Sequence, residues 1–185
     1  MLTLQWLSGI LALCGFFPYI KAIIKKETYP HLLTWIIWTL IGLLLVASYF
    51  AAGASPGDLI IPFAYVIGEF LVMILALKYG KRGYDLGDIL CFFGALLSII
   101  VWILTKNALS ALFLNILVDF LGALPTIRQV YSDPKSENLT GWIFFLVGNG
   151  LNLLALGRYT LVTLSYPLYL FLISLLVTAL ILKGK

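Results

Sequence analysis

The chain contains the same pattern of three apolar stretches twice. When Pro18 is aligned with Pro125, the register holds without a gap, and after a slip of two residues it holds again to the end of each copy. Matches of Leu and Val are common in so apolar a chain, so the Pro, Gly, Trp and cationic matches fix the register. Duplicated membrane units that face each other across a pseudo-symmetry axis are typical of transporters with a central site. The pairs are Gly15 with Gly122, Pro18 with Pro125, Lys21 with Arg128, Trp35 with Trp142, Pro62 with Pro167 and Lys78 with Lys183.

Seven apolar stretches are long enough to cross a membrane. Because 62% of the residues are hydrophobic and only 11% are charged, the composition is that of a polytopic membrane protein rather than a soluble core. About 20 residues at ~1.5 Å each cross the hydrocarbon layer. We therefore predict an all-α membrane protein with seven transmembrane helices. The predicted spans are 4–24, 31–53, 57–78, 87–105, 109–131, 139–159 and 163–182.

The predicted spans group as two units of three with one helix between them. Residues 1–80 form the first three-helix repeat, 81–107 the linker helix and 108–185 the second repeat. A single linker span gives both repeats the same orientation, so we predict two parallel three-helix bundles in a 3+1+3 arrangement. The connections are too short for a soluble domain, and the function is expected inside the bundle or on its rims.

The cations are unevenly divided between the two sides of the predicted bundle. If the N-terminus lies outside, ten of the twelve Lys and Arg residues lie inside, against Lys106 and Arg158 outside. This bias predicts a multi-pass cell-membrane protein with its N-terminus outside and its C-terminus inside. Topology thus explains the net charge of +4, and no nucleic-acid partner is implied. The expected partners are membrane lipid and a small-molecule substrate, with the protein a monomer or a homo-oligomer. The inner cations are Lys21, Lys25, Lys26, Lys78, Lys81, Arg82, Arg128, Lys135, Lys183 and Lys185.

Two carboxylates lie near the middle of predicted spans, Glu69 in the third and Asp119 in the fifth. An ionised side chain at that depth costs at least ~2.5–3.5 kcal/mol on insertion scales, and such residues mark ion or solute paths. The alternative is a structural carboxyl group that hydrogen-bonds across helices. We predict that both residues bind substrate and that both are candidates for proton coupling.

Asp119 has polar and helix-bending neighbours at helical spacing. Asn115 lies one turn before it, and Pro125 follows on the same face. Pro125 removes one backbone hydrogen bond and permits a bend close to the carboxylate. The equivalents of Asn115 and Asp119 in the first copy are Ser8 and Ala12, so the polar pair belongs to one copy only.

The sixth span carries one stripe of aromatic and amide side chains, formed by Trp142, Phe145, Asn149 and Asn152. Aromatic faces combined with amide donors and acceptors suit a polar ring compound. Two alternatives stay open: tryptophans near span ends also act as interfacial anchors, and asparagines also join helices at about 0.6 kcal/mol each. The full set of predicted substrate-binding residues is Trp38, Glu69, Asn115, Asp119, Phe145, Asn149, Asn152 and Ser174.

Four prolines within the spans are candidate gates or hinges. Pro18 and Pro125 lie near the inner ends of the first and fifth spans, where an inner gate is expected. Pro62 and Pro167 lie near the outer ends of the third and seventh spans, where a first-turn proline is tolerated. As hinges they would shape an outer gate.

Catalytic and metal chemistry have little support in the sequence. His31 is the single histidine and lies in an inner connection, where we interpret it as a helix-start residue. Cys14 and Cys91 lie within spans and are interpreted as small core residues. A Gly-x-Gly-Asp signature, a His/Cys cluster and a Ser–His pair are missing. We therefore predict no enzyme activity, no metal and no cofactor.

The 3+1+3 pattern, with Pro near the inner end of the first and fifth spans and Trp early in the second and sixth, resembles the SWEET/PQ-loop superfamily. The resemblance implies a transporter of a small polar solute, sugar-like or amino-acid-like, that works by alternating access. The expectation of proton coupling comes from the depth of Glu69 and Asp119 in their spans. SWEET-type sites use Trp or other bulky residues on the second helices and Asn on the third. Here the third-helix positions hold Glu69 and Ser174, which favours a cationic or proton-coupled substrate.

The resemblance leaves the subfamily open. The Pro-Gln dipeptide of the family stands here as Pro18-Tyr19 and Pro125-Thr126, so neither copy keeps the Gln. A seven-helix receptor or sensor on the same fold is the alternative function. Retinal binding is disfavoured because Lys183 lies beyond the membrane core of the last span.

Overall fold

The computed structural model describes residues 2–51, 56–81, 83–105, 108–156, 159 and 161–184. Within these ranges the chain forms helices and short connections, without a strand, which confirms the all-α prediction. Arg82, Lys106, Arg158 and Lys185 lie outside the described residues. The helices are α1 Leu2–Ile24, α2 Leu32–Ala51, α3 Pro56–Tyr79, α4 Leu86–Thr105, α5 Ala108–Ser132, α6 Leu139–Leu154 and α7 Leu161–Lys183, with a 3-10 turn at Pro134–Ser136.

The helices have the apolar character that a membrane requires. In the described part of the chain, α1, α3, α5 and α7 are long and apolar enough to span it, whereas α2, α4 and α6 contain shorter apolar segments. Large apolar side chains cover the outward faces, with Phe17 73% and Leu90 62% exposed. A face of this kind favours lipid over water as its surroundings.

Pro62 and Pro167 do not lie in the first turn of their helices. Each is the seventh residue of its helix, α3 or α7, and therefore lies in the second turn. The expectation of a first-turn proline is wrong in this detail, because α3 and α7 begin earlier than the prolines suggest. A proline in the second turn leaves the carbonyl four residues before it without its helical donor.

The helices pack as two sets that meet along two seams. In the first set, α3 packs against both α1 and α2, and in the second set α7 packs against both α5 and α6. The sets meet where α1 packs against α6 and where α2 packs against α5. Helix α4 packs mainly against α5. We refer to α1–α3 as the first set and to α5–α7 as the second.

The residues that follow Pro18 and Pro125 contact the opposite set at equivalent positions. A Cβ atom added at Gly141 would lie 3.1 Å from the Cβ atom of Tyr19. In the other seam, the Thr126 hydroxyl donates to the Thr34 hydroxyl at 2.9 Å. By the repeat register, Tyr19 matches Thr126 and Thr34 matches Gly141.

A second pair of contacts obeys the same register. A Cβ atom at Gly15 would lie 2.9 Å from the Cβ atom of Phe144, and one at Gly122 would lie 3.0 Å from the Cβ atom of Ile37. Gly15 matches Gly122, and Ile37 matches Phe144. The two seams are therefore built from matching positions of the two copies.

Gly141→Ala is expected to lower the free energy of unfolding by about 1–3 kcal/mol relative to Gly150→Ala. The new Cβ atom at residue 141 would lie 3.0 Å from the carbonyl oxygen of Gly15, whereas at residue 150 it would meet Phe171 at an ordinary 3.5 Å. Both changes gain the same helix propensity of about 1 kcal/mol, so the difference isolates the clash. Thermal unfolding in detergent checks the prediction, and equal stability of the two variants would contradict it.

The connections α1–α2, α3–α4 and α5–α6 bond to one another at one end of the bundle. The backbone N–H of Tyr29 donates to the Ser136 carbonyl at 2.9 Å, and that of Lys81 donates to the Pro30 carbonyl at 3.1 Å. The Gln129 amide donates to the Tyr29 carbonyl at 2.6 Å. Every described Lys and Arg lies in these connections or in the last two turns of α1, α3, α5 and α7. We call this the basic end.

Candidate solute-binding cavity

A cavity lies between the two sets and is lined by six of the seven helices. Its volume is about 40 Å³, little more than one water occupies, whereas ligand pockets usually measure ~300–1,000 Å³. In this arrangement of the helices the cavity is therefore too small for a ligand of ordinary size. The lining residues are Phe16, Trp35, Trp38, Tyr65, Glu69, Asp119, Trp142, Phe145, Asn149, Leu170, Ile173 and Ser174.

Two tyrosines of α7 bind the carboxyl group of Asp119 on α5. The Tyr166 hydroxyl donates to Oδ2 at 2.6 Å and the Tyr169 hydroxyl donates to Oδ1 at 3.1 Å. From the first set, the Trp38 indole N–H donates to the backbone carbonyl of Asp119 at 3.3 Å. The carboxyl group is 5% exposed and lies where α2, α5 and α7 meet. Asp119 therefore contacts α7 through its carboxyl group and the first set through its backbone carbonyl.

Asn149 joins the two sets on another wall of the cavity. Its Oδ1 accepts from the Tyr65 hydroxyl of α3 at 2.8 Å. Its Nδ2 donates to the Leu170 carbonyl at 3.3 Å and to the Ser174 hydroxyl at 3.4 Å, both on α7. This network fixes the amide between α3 and α7.

Glu69 lies on α3, one turn after Tyr65, and one oxygen of its carboxyl group lacks a partner among the described residues. Its Oε2 is buried and has no hydrogen-bond partner among the described residues. The same oxygen lies 2.9 Å from where a Cβ atom at Gly42 would be, so α2 closes over it. The lining contains no Lys, Arg or His within the part of the chain that the structure describes. A cationic group or a proton is the partner that this carboxyl group lacks.

Aromatic rings form the wall between these polar groups and the basic end. The Phe16 and Phe145 centroids are 4.8 Å apart, and Trp142 lies 5.7 Å from Phe145 in an edge-to-face arrangement. Trp38 lies 5.2 Å from Trp35 and 6.2 Å from Trp142. Such ring pairs contribute about 0.5–1.5 kcal/mol each beyond the area they bury. The rings thus separate the cavity from the basic end.

Glu137 lies behind this aromatic wall, in the connection before α6. It is 4% exposed, and its Oε2 accepts from the Trp142 indole N–H at 2.9 Å. Burial raises the pKa of Glu137 from 4.5 to about 7, and the Tyr19 and Trp142 groups that face the carboxyl group oppose this shift only in part. The carboxyl group of Glu137 therefore changes charge near neutral pH. It lies beside Tyr19 of the first set and Trp142 of the second set.

Glu137→Gln is expected to remove a fall in stability between pH 4.5 and about 7. Across this window the native carboxyl group keeps a proton that the unfolded chain loses, so stability falls as the pH rises and is constant above it. The amide still accepts from Trp142, and the variant should be more stable at pH 8 by up to about 3 kcal/mol.

Thermal unfolding between pH 5 and pH 8 measures this difference. Glu27→Gln is the matched control, because Glu27 lies in the α1–α2 connection with a side chain that is 61% exposed. An unchanged pH slope in Glu137→Gln would contradict the assignment.

His31 directly precedes α2, as expected of a helix-start residue, and it also joins α2 to α4. Its Nε2 lies 3.2 Å from Asp88 Oδ2, and Asp88 is also 3.7 Å from the Arg128 guanidinium of α5. Burial lowers the pKa of His31, and Asp88 opposes this shift. This buried pair attaches the start of α4 to the basic end.

Six of the eight predicted substrate-binding residues line the cavity, and two do not. Asn115 is buried and Asn152 is partly exposed, but both lie one turn further toward the end opposite the basic end. Pro18 and Pro125 lie inside α1 and α5, beside the Tyr19 and Thr126 contacts of the seams. The six that line the cavity are Trp38, Glu69, Asp119, Phe145, Asn149 and Ser174.

Four residues in or beside the cavity were not among the predicted site residues: Tyr65, Tyr166, Tyr169 and Glu137. Tyr65 lies four residues before Glu69, a helical spacing that was available as a signal. Tyr166 and Tyr169 are three residues apart, but the sequence does not indicate that they meet Asp119. Nothing in the polar connection 132–138 marks Glu137 as buried.

In the described part of the chain, no group of three or more His, Cys, Asp and Glu side chains is arranged to hold a metal ion. Comparison with protein-family models, with curated proteins and with solved structures gives no match.

Proposed function

We propose that this protein is a membrane transporter of a small polar solute, which binds in the cavity between the two sets of helices. The observation that carries the proposal is the lining itself. Two carboxyl groups, Glu69 and Asp119, and the Asn149 amide converge there from three helices, beside a wall of aromatic rings. Polar groups of this kind within a membrane bundle mark a solute or ion path.

The proposed architecture is two parallel three-helix units joined by the linker helix α4. It is supported by the packing of α3 between α1 and α2 and of α7 between α5 and α6. It is also supported by the seams, where Tyr19 meets Gly141 and Thr126 meets Thr34 at matching positions. A transporter of the SWEET/PQ-loop type would have such an architecture.

The proposed solute carries an amino group or enters together with a proton. Two carboxyl groups without a cationic side chain among the described lining residues need a counter-charge, which a cationic solute or a proton supplies. The aromatic wall stacks on the apolar part of the solute and holds a cation over its rings. Amines and amino acids therefore precede neutral sugars as candidates.

In the proposed cycle the two units rock against each other around the cavity. At the basic end, Tyr19, Trp142 and the Thr34–Thr126 hydrogen bond lie between the cavity and the outside of the bundle. Opening this end separates α1 from α6 and α2 from α5. Pro18 and Pro125, each next to a seam contact, are the proposed hinges.

Ligand-induced thermal stabilisation tests the binding half of the proposal. The purified protein is heated with amines, amino acids, sugars and nucleosides at pH 5.5 and pH 7.5. We expect at least one compound to raise the unfolding temperature, and Asn149→Ala to remove the effect. Asn152→Ala is the matched control, because Asn152 lies three residues further along α6 and does not line the cavity. No stabilisation by any compound at either pH would contradict the proposal.

A receptor on the same fold is distinguished from a transporter by whether the solute crosses the membrane. Such a protein would bind the compound with the same dependence on Asn149 but would not move it across a sealed vesicle. The two functions therefore share the binding result and separate in the uptake assay.

A further inference from the structure

A second and larger cavity opens at the basic end, away from the proposed solute site. Its volume is about 500 Å³, within the ~300–1,000 Å³ range of ligand pockets. It is bounded by the end of α1, the end of α3 and the end of α5 with the 3-10 turn, so both sets contribute to it. We call it the lysine basin; its lining residues are Lys26, Tyr29, Lys78, Tyr79, Gly80, Lys81, Gln129, Ser132, Asp133 and Ser136.

Three lysines of the basin have no carboxylate partner in the part of the chain that the structure describes. Within the described residues, no carboxylate oxygen lies within 4.0 Å of the Nζ atoms of Lys26, Lys78 or Lys81. Lys78 lies 5.3 Å from the centroid of the Tyr79 ring. The acidic member, Asp133, accepts from the backbone N–H of Lys135 at 3.1 Å. The basin therefore carries unneutralised positive charge.

Gln129 supplies a buried acceptor on the wall of the basin. The residue is 4% exposed, and its amide nitrogen is used by the Tyr29 carbonyl. Its Oε1 is buried and has no hydrogen-bond partner among the described residues. Because an unpaired buried acceptor is unfavourable, a hydroxyl donor on a bound molecule would relieve that cost.

Lys26 is held in a backbone conformation that favours glycine. Its φ is +60°, and it follows α1 where the Glu27 N–H donates to the Ala22 carbonyl and the Lys26 N–H donates to the Ile23 carbonyl. This is a Schellman motif, in which the left-handed residue is usually Gly. The left-handed conformation is unfavourable for lysine. The backbone at position 26 would favour glycine, so the lysine is explained by its side chain.

We propose that the lysine basin binds a phosphate ester that carries neighbouring hydroxyl groups. The lysines hold the phosphate, and Gln129 Oε1 accepts from a hydroxyl group. A phosphatidylglycerol headgroup and a soluble phosphorylated polyol share this chemistry, and basic pockets between membrane helices bind lipid headgroups. Bound there, the ligand bridges the ends of α1, α3 and α5. The inference does not depend on solute transport through the central cavity.

Titration of the purified full-length protein in detergent tests the proposal. The probes are phosphatidylglycerol, phosphatidylcholine and glycerol phosphate, with unfolding temperature and native mass spectrometry as the two measurements. Phosphatidylglycerol or glycerol phosphate is expected to bind saturably, and phosphatidylcholine to bind at least about tenfold more weakly, equivalent to 1.4 kcal/mol. Binding of phosphatidylglycerol alone assigns the site to lipid, and binding of glycerol phosphate as well assigns it to soluble esters.

Two triple variants separate a built site from general surface charge. The basin variant combines Lys26→Gln, Lys78→Gln and Lys81→Gln. The control combines Lys21→Gln, Lys135→Gln and Lys183→Gln, which removes the same charge from the basic end; Lys183 matches Lys78 in the repeat register. Loss of binding of at least about tenfold in the basin variant alone supports the proposal. Equal loss in both variants, or no binding by the wild type, overturns it.

Lys26→Gly guards against a folding artefact. Relief of the left-handed conformation outweighs the extra backbone freedom of glycine, so the basal unfolding temperature should not fall. The affinity for the phosphate ester should nevertheless fall several-fold, because one of three cations is lost. Unchanged affinity would overturn the role of Lys26 in the site.

Discussion

Asp119→Ala is expected to reduce solute uptake into proteoliposomes by about 100-fold, equivalent to about 3 kcal/mol. The change removes a carboxyl group that lines the cavity and leaves the Tyr166 and Tyr169 hydroxyl groups without the oxygens that now accept from them, at 2.6 and 3.1 Å. The solute therefore loses a charged partner, and the α5–α7 contact loses two hydrogen bonds. The measurement is the initial uptake rate of a solute found by thermal stabilisation.

Asn115→Ala is the matched control for this prediction. Asn115 lies on the same helix, one turn before Asp119, and is also buried, but it does not line the cavity. The uptake rate of the Asn115→Ala variant should stay within about twofold to threefold of the wild type, since polar contacts between helices outside the cavity contribute little free energy. Full uptake by a folded Asp119→Ala protein would contradict the assignment of this residue to the site.

Asp119→Asn separates charge from hydrogen bonding. The amide keeps one oxygen that accepts from a tyrosine but neither ionises nor takes up a proton. If the carboxyl group couples transport to protons, uptake by Asp119→Asn should lose its pH dependence while retaining part of its rate. An unaltered pH profile in this variant and in Glu69→Gln would exclude coupling through these two residues.

In the Thr34→Cys, Thr126→Cys double variant, oxidation to a disulfide bond is expected to slow transport by about tenfold or more. Reduction of the disulfide bond should restore the transport rate. The two hydroxyl groups are 2.9 Å apart across the α2–α5 seam, which favours bond formation between sulfurs at these positions. In the proposed cycle this seam opens at the basic end, and a disulfide bond resists that separation. Cys14→Ala and Cys91→Ala remove the native thiols from the background.

A disulfide bond within one set is the control. Gly9 on α1 and Ile60 on α3 are in contact, so Gly9→Cys with Ile60→Cys crosslinks two helices of the first set. Because each set moves as one body in the proposed cycle, oxidation of this pair should leave uptake largely unchanged. Full transport by the completely oxidised Thr34→Cys, Thr126→Cys variant would contradict opening at this seam.

The helices were predictable because an apolar segment in a membrane has few backbone structures available other than a helix. Backbone groups in lipid must be satisfied within the segment, so each predicted span overlaps one helix of the structure. The ends were less predictable. Helix α6 ends at Leu154 with Ala155 as its cap, whereas hydropathy extended the span to residue 159. Hydropathy reports apolar composition and does not detect where the chain leaves the helix.

The site was predictable in its residue types and less so in its depth. Glu69, Asp119 and Asn149 are conspicuous because polar groups inside apolar spans are costly. Asn115 and Asn152 share helix faces with cavity residues, but a helical wheel does not show where neighbouring helices close over a face. Both lie one turn beyond the cavity, toward the end opposite the basic end. Depth depends on how the helices pack, which one sequence does not specify.

The buried groups at the basic end were not predictable. Glu137 lies in a polar connection, yet it packs against Trp142 from behind the aromatic wall. His31 was expected only to start α2, yet it pairs with Asp88 at the start of α4. The His31–Asp88 contact joins segments far apart in the chain, and the carboxyl group of Glu137 also faces Tyr19 of the distant helix α1. No local sequence pattern records such contacts.

Uptake into proteoliposomes tests the central claim, that the cavity between the two sets carries a solute across the membrane. Labelled amines, amino acids and sugars are offered to vesicles that contain wild-type protein, Asp119→Ala protein or no protein. The account predicts that at least one solute, a cationic or proton-coupled one, enters wild-type vesicles about 100-fold faster than Asp119→Ala vesicles. If every solute, including any that stabilises the protein, enters wild-type and empty vesicles at the same rate, the protein is not a transporter.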